Sequence, residues 1–330
     1  MRLKSLKGLV LAASLTVLSS PVLAERISME SASANSVVGL LPQAMAPSWS
    51  KAGLDIELAL GQTLTKSLLK IGSGSLDSAV VPPLAFSALS KGQGPYKKLG
   101  AEKGAKLAAN TRVLFGFASS TYHPIVWADS GIETWEDIKG KKIYIGAPAG
   151  AASRLITTLI KTASGFEEGK DYEGIKAPWN VAMQGFRDGQ YDVAFIPSAI
   201  GSQSITELSL SRNIRLLSLN ADMTPPAGLG MGKIVIPENT YAGQINKEEA
   251  VNAWLTVMMV AVKKDMSNDV AYGLTKTYFD SLDEARKGND LLKTVSAEQR
   301  FEEVVGILHP GAVKYYKEQN IEIPAALIAE

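Results

Sequence analysis

The residues best placed to do chemistry without a cofactor lie in Ile145-Gly146-Ala147-Pro148-Ala149-Gly150-Ala151-Ala152-Ser153-Arg154. This run of small side chains joins a β-rich stretch to an amphipathic one. It lets a ligand approach the first N–H groups of the following helix, which point outward with positive partial charge, so an anion is the natural guest. Arg154 falls in the first helical turn, where the dipole disfavours a cation. A carboxylate in its fork offsets that cost, whether it comes from a ligand or from a surface neighbour. Ala149, Gly150, Ala151, Ser153 and Arg154 are therefore candidate contacts. The loop lacks both the Lys-Ser/Thr pair of a P-loop and the G-x-G-x-x-G order, so nucleotide binding is not expected.

Two further strand-to-helix junctions, Ser33-Ala34-Asn35-Ser36 and Gly61-Gln62-Thr63, carry hydroxyls and amides. Asn35, Ser36, Gln62 and Thr63 suit a polar cleft lining and equally suit helix N-caps. The chain has two histidines. His123, in Thr121-Tyr122-His123-Pro124 at the entrance to a strand, is expected to face a cleft together with Tyr122. His309, in Leu308-His309-Pro310-Gly311, reads as a turn residue closing a helix. Neither has zinc spacing, and no G-x-S-x-G elbow is present, so no catalytic residue, metal site or cofactor is predicted. Trp179, beside Asn180 ahead of a helix, suits an aromatic wall, whereas Trp49 reads as core. Thr134-Trp135-Glu136-Asp137 reads as a capping box opening a short helix that ends at Gly140.

The elements that must position these residues alternate. Strands are predicted at Leu54 to Leu60, Leu76 to Pro82, Val113 to Phe117, Lys142 to Gly146 and Tyr191 to Pro197. Helices are predicted at Gln62 to Lys70, Pro83 to Ser90 and Ala151 to Thr162. Such alternation favours α/β units with mostly parallel sheets. Gly74-Ser-Leu-Asp77-Ser-Ala79-Val-Val-Pro82 and Gly189-Gln-Tyr-Asp192-Val-Ala194-Phe-Ile-Pro197 share the frame G-x-x-D-x-A-x-x-P. Each reads as a helix ending at glycine, a turn, a buried strand and a proline that stops the strand. The loops at Asn35 and Gly150 each precede the matching proline by 47 positions. Two similar units imply two lobes with a cleft between them, where small ligands bind, and they add Pro82 and Ser198, at the carboxyl ends of the repeated strands, to the candidates. The C-terminal third, from about Gly232, has no matching unit. It reads as mainly helical, with Val251 to Val262 a buried helix, and is expected to pack on the first lobe so that the chain crosses the hinge twice.

At the N-terminus, Arg2, Lys4 and Lys7, the apolar run Gly8 to Leu18 and Pro21-Val22-Leu23-Ala24 read as a signal peptide cleaved near Ala24. The apolar run is too short to span a bilayer. Removing 1–24 leaves 31 Lys+Arg against 33 Asp+Glu, without the basic excess of a nucleic-acid binder. The chain has no cysteine, which excludes disulfides and thiolate sites.

The run Tyr122-His-Pro-Ile-Val-Trp-Ala-Asp-Ser-Gly-Ile-Glu-Thr-Trp-Glu-Asp-Ile-Lys-Gly-Lys-Lys-Ile-Tyr-Ile-Gly-Ala-Pro-Ala-Gly150 resembles the middle of the TAXI family, the solute receptors of TRAP transporters. His309-Pro-Gly-Ala-Val-Lys-Tyr-Tyr-Lys-Glu318 is similar to that family's C-terminal signature. The resemblance implies an α/β, two-lobed periplasmic solute-binding fold of type II-like form, with residues 25–116 plus 220–330 as the first lobe and 117–219 as the second. It also implies capture of a small carboxylate, amino acid or related organic anion, without catalysis, for delivery to a TRAP-type permease. Asn35-Ser-Val-Val-Gly39 and Ala149-Gly-Ala151 depart from the family's usual loops. A binding protein for an ABC transporter, a periplasmic hydrolase or isomerase, and a ligand sensor are the competing readings.

Overall fold

The computed structural model describes residues 25–34, 36–148 and 152–329. The expected signal peptide and the contacts assigned to Asn35, Ala149, Gly150 and Ala151 lie outside them. The chain opens with β1 (Glu25–Glu30), α1 (Val37–Lys51), β2 (Leu54–Ala59), α2 (Leu64–Gly72), β3 (Ser78–Val81), α3 (Pro83–Ser90) and α4 (Ala101–Ala109). The long β4 (Thr111–Trp127) leads into β5 (Lys142–Tyr144), α5 (Ala152–Ser164), β6 (Glu173–Ile175), α6 (Trp179–Arg187), β7 (Val193–Ser198), α7 (Gln203–Ser211) and β8 (Ile214–Leu216). The chain returns through β9 (Met231–Ile236) and β10 (Val251–Lys263) and finishes with α8 (Asn268–Gly288) and α9 (Pro310–Glu318). One mixed sheet runs β2-β1-β3-β10-β4-β7-β5-β6, with β8 on β4 and β9 on β10. The class is α/β, as expected.

The repeated frame has a common structural use. Gly74 and Gly189 end α2 and α6 at positive φ, 77° and 70°, where a side chain would be strained. Asp77 then accepts the backbone N–H of Ser28 in β1 at 2.9 Å, and Asp192 accepts that of Lys142 in β5 at 2.9 Å. In each unit the aspartate therefore ties the start of the third strand to the first strand, its parallel neighbour. Pro82 lies just beyond β3, whereas β7 runs one residue past Pro197 to Ser198.

The reading of Val251 to Val262 as a helix is overturned, because these residues form β10. The strand sits in mid-sheet, pairing with β3 and β9 on one edge and with β4 on the other. Both of its faces are covered, so its sequence up to Val262 is apolar apart from Asn252 and Thr256 and carries no alternation. β4 is likewise far longer than Val113 to Phe117, continuing through Ser119, Ser120 and Pro124 to Trp127. His123 is thus in mid-strand rather than at a strand entrance. His309 opens α9 as its N-cap instead of closing a helix. Asp137 accepts the N–H and hydroxyl of Thr134 and the N–H of Glu133, but a single 3-10 turn, Glu136–Ile138, follows.

Buried side chains sort into separate cores along β4 and β10. The first core contains Val113 to Phe117 and Met258 to Val262, packed with β1, β3 and the helices α1, α8 and α9. Two others cover opposite faces of the far part of the sheet: Tyr122, Val126, Ile143, Phe195 and Trp254 in one, Ile125, Tyr144, Ala194 and Ala253 in the other. Leu229 and Met231 join the former of these, and Ile236, Tyr241 and Val251 the latter. Between them lies a small cluster of Ala118, Leu255 and Val257. Here the β4–β10 register slips between Leu255 and Val257, and the Thr256 hydroxyl meets that of Ser119 at 2.7 Å. Such a slip bends and twists paired strands.

Candidate functional site

The parallel strands β1, β2 and β3 point along β4, and β5, β6 and β7 point against it. Register fixes where they end. Val81, closing β3, pairs with Met259, which pairs with Gly116 of β4. Ser198, closing β7, pairs with Thr121. The two sets of carboxyl ends therefore converge from opposite directions on Gly116 to Thr121, the stretch between the cores. Loops at the carboxyl ends of parallel strands are where α/β proteins hold ligands.

Most sequence-predicted contacts fall on these ends. Ser36 follows β1, Gln62 and Thr63 follow β2, Pro82 follows β3, Ser153 and Arg154 follow β5, Trp179 follows β6 and Ser198 ends β7. Several already have local work. Ser36 caps α1, accepting from Gly39 N–H at 3.2 Å and donating to the Ser33 carbonyl at 2.7 Å. Gln62 donates to the Leu60 carbonyl at 3.0 Å. Thr63 stands at the N-cap of α2 without a side-chain cap bond. Pro82 precedes α3 as its N-cap, and Arg154 is exposed in the first turn of α5.

Trp179 is 40% exposed although it is among the largest apolar side chains. Its ring meets Tyr144 edge to face, with centroids 5.6 Å apart. A Cβ on Gly146 would stand 3.3 Å from the indole, so this aromatic flanks the loop that begins after β5. Burial pushes the Tyr144 phenol above its usual range, with neighbouring Tyr191 adding to the shift. That phenol donates to the Ala177 carbonyl at 2.8 Å and so holds the segment leading to Trp179.

Tyr122 and His123 differ from the expectation of an open cleft position, because both are buried in the sheet, at 3% and 0% exposure. The Nδ1 of His123 faces two carbonyls, Thr121 at 2.9 Å and Ile196 at 3.2 Å, and so must carry the proton. Nε2 then accepts from the Tyr241 hydroxyl at 2.8 Å, whose oxygen accepts the Gly201 N–H at 3.0 Å. Both ring nitrogens are used, and burial lowers the imidazole pKa to about 4. What His123 does is anchor the turn after Ser198. Nothing in the local sequence marks Tyr241, which lies 118 positions away, as its partner.

Glu303 also lay outside the sequence reading. It has positive φ, 51°, and its carboxylate accepts the N–H groups of Gly228 and Gly230, each at 3.0 Å. Its neighbour Val304 belongs to the first core, whereas Leu229, between the two glycines, belongs to the second. One carboxylate thus straps the two cores together. Among the described residues no group of three His, Asp or Glu is placed to hold a metal, and no helix is long and apolar enough to cross a membrane.

Residues 68–319 match the model of the NMT1-like family. The chain belongs to the NMT1-like family. Solved structures similar to it include a putative sulfonate ABC transporter component from Methylobacillus flagellatus, the periplasmic sulfonate-binding protein SsuA. That likeness has a TM-score of 0.50 at 12% identity over 90% of this chain and 85% of that one. The periplasmic aliphatic sulphonate binding protein SsuA of Escherichia coli aligns with TM-score 0.48 and 12% identity over 93% and 94% of the two chains. A TRAP periplasmic solute binding protein from Ochrobactrum anthropi aligns with TM-score 0.48 and 9% identity over 90% and 88%. At such identity the likeness shows the fold alone, that of periplasmic solute-binding proteins.

Proposed function

We propose that this NMT1-like protein is a non-enzymatic receptor, exported through a cleaved signal peptide, that captures a small organic anion or amino acid in the periplasm. The convergence of the strand-end loops on Gly116 to Thr121 carries this reading. Ser36, Gln62, Thr63, Pro82, Ser153, Arg154, Trp179 and Ser198 follow or end strands that run toward this stretch from both halves of the sheet, and we take them, with Asn35 and Ala149 to Ala151, as the proposed contacts of one solute. Arg154 would take the anionic group and Trp179 would cover the apolar body of the solute.

The working lobes start from the division into residues 25–116 plus 220–330, and 117–219, and we move the return segment from Leu229 to Trp254 into the second, because its buried side chains pack with those of 117–219. Closure would bend β4 and β10 at the slipped register beside Thr256. A solute drives it only by binding the closed form better than the open one. The resemblance to TAXI receptors makes a TRAP-type permease the expected recipient. A second reading, delivery to an ATP-driven importer, has support in the likeness to the putative sulfonate ABC transporter component of Methylobacillus flagellatus.

The test is a thermal-shift screen of the mature protein against carboxylates, amino acids and sulfonates, since a ligand that binds the native state raises the melting temperature. A dose-dependent shift with one acid class is expected. Cooperative melting with no shift across the panel would refute the anion reading. Proteoliposome uptake driven by a sodium gradient without ATP would assign the TRAP partner, and a strict ATP requirement would assign the other.

A further inference from the structure

β4 and β10, paired strands whose register slips between Leu255 and Val257, carry the chain from one core to the other. A further connection is made without a chain crossing. Glu303 accepts the N–H groups of Gly228 and Gly230, each at 3.0 Å, and the side chains around these bonds belong to different cores: Val304 to the first, Leu229 and Met231 to the second. A Cβ on Gly116 would stand 2.6 Å from a Val304 methyl, so residue 304 lies on β4 where the crossing stretch starts. The Gly230 carbonyl in turn accepts the N–H of Val257, beside the slip in β10, at 2.8 Å. The strap therefore meets both strands at the bend.

The chain entering β9 is seated there by its backbone. A Cβ on Gly230 would meet the Pro83 ring at 3.1 Å, at the start of α3, whose Ala85 and Phe86 are in the first core. A Cβ on Gly232 would run into the Glu302 carboxylate. Gly228, Gly230 and Glu303 all take positive φ, 79°, 66° and 51°. A residue with a side chain rarely holds that conformation, and it persists only where surrounding contacts over-determine it. For Glu303 those contacts include two hydrogen bonds to a charged acceptor, the stronger kind.

We infer that Glu303 is an interlobe latch: its two bonds select the lobe arrangement of this structure, and motion about the slipped register has to break them. The inference rests on the two-lobe receptor reading. It makes solute affinity depend on a residue that follows no strand end, because a solute that prefers another arrangement must work against the latch.

The separation of the lobes, measured on the mature protein without solute, tests it. The chain has no cysteine, so Lys66→Cys on α2 and Arg187→Cys on α6, both at exposed positions, each take one spin label. Pulsed dipolar spectroscopy should give one narrow separation with Glu303 in place and with Glu303→Gln, whose amide oxygen has the same reach. Glu303→Ala should broaden the distribution or add a second population. Should Glu303→Ala fail to fold, Glu303→Asn decides, since asparagine tolerates positive φ but is one carbon short. An unchanged separation in the folded alanine or asparagine variant would overturn the latch, and so would a broad distribution before any substitution at 303. No solute enters, so a ligand screen without a hit would count against the receptor reading and leave this result standing.

Discussion

Protonating His123 should destabilise the native state within a defined pH window. The ring is fully buried, its Nδ1–H is held by two carbonyls, and its Nε2 accepts from Tyr241. A proton on Nε2 would place a second donor against the Tyr241 hydroxyl, whose oxygen already accepts from Gly201, and would leave a cation in the core. Burial accordingly lowers the pKa to about 4 from an ordinary 6.5. Between those values the unfolded chain binds a proton that the native chain refuses, so stability rises with pH. The difference corresponds to about 3 kcal/mol. That stability is fully present above the unfolded value and is lost as pH falls through the window to about 4. His309 is lowered in the same direction, chiefly by burial, and adds to the loss. Glu302 is raised by burial and by Glu303, so it gains stability as pH falls and opposes the loss. Asp77 acts only at lower pH: burial raises its pKa, but Lys263 and Ser28 together outweigh that and hold it below the usual carboxylate range. Urea midpoints from about pH 7.5 to about 4.5 in a His309→Asn, Glu302→Gln background should therefore fall by most of this amount. Ring NMR of the same protein reads His123 alone. A His123 ring titrating near its ordinary value with the fold intact would refute the argument, and so would midpoints that stay flat across the window.

Replacing Arg154 with alanine should weaken an anionic solute by roughly 1.5–3 kcal/mol in calorimetry while leaving the melting temperature unchanged, since the side chain is exposed. Trp179→Ala should cost about 1–2 kcal/mol of solute binding through lost apolar contact, and about 0.5–1.5 kcal/mol of stability through the lost edge-to-face contact with Tyr144; equal affinity would remove the indole from the site. Glu303→Ala should cost about 1.5–3 kcal/mol in denaturant unfolding, because two backbone N–H groups lose a charged acceptor. Asp77→Ala should destabilise by about 3 kcal/mol, and Asp192→Ala by about 1 kcal/mol. Asp77 serves Ser28 N–H, the Ser28 hydroxyl and Lys263, whereas exposed Asp192 serves only Lys142 N–H. Equal losses in urea titrations would contradict that difference.

The α/β alternation and the two repeated units were legible because their signals are local. A glycine must take positive φ after α2 and α6, and an aspartate three residues on must reach a neighbouring strand. The placement of candidates at strand ends followed from the same signals. What stayed hidden depends on partners far along the chain. β10 is largely apolar on both faces because β3, β9 and β4 flank it and helices cover it, and an apolar run interrupted only at Asn252 and Thr256 has no period to separate strand from helix. β4 is interrupted in sequence by Ser119-Ser120-Thr121, which reads as a break but is the stretch that crosses between cores. There the Ser119 hydroxyl meets that of Thr256, and the Thr256 hydroxyl bonds the backbone of Ser120, where the register slips. Tyr241 and Glu303 act on the turn after β7 and on the loop before β9, each from a distant segment. The residues proposed to touch solute were therefore readable from one junction at a time, whereas those that join the two cores could be found only once the chain had closed on itself.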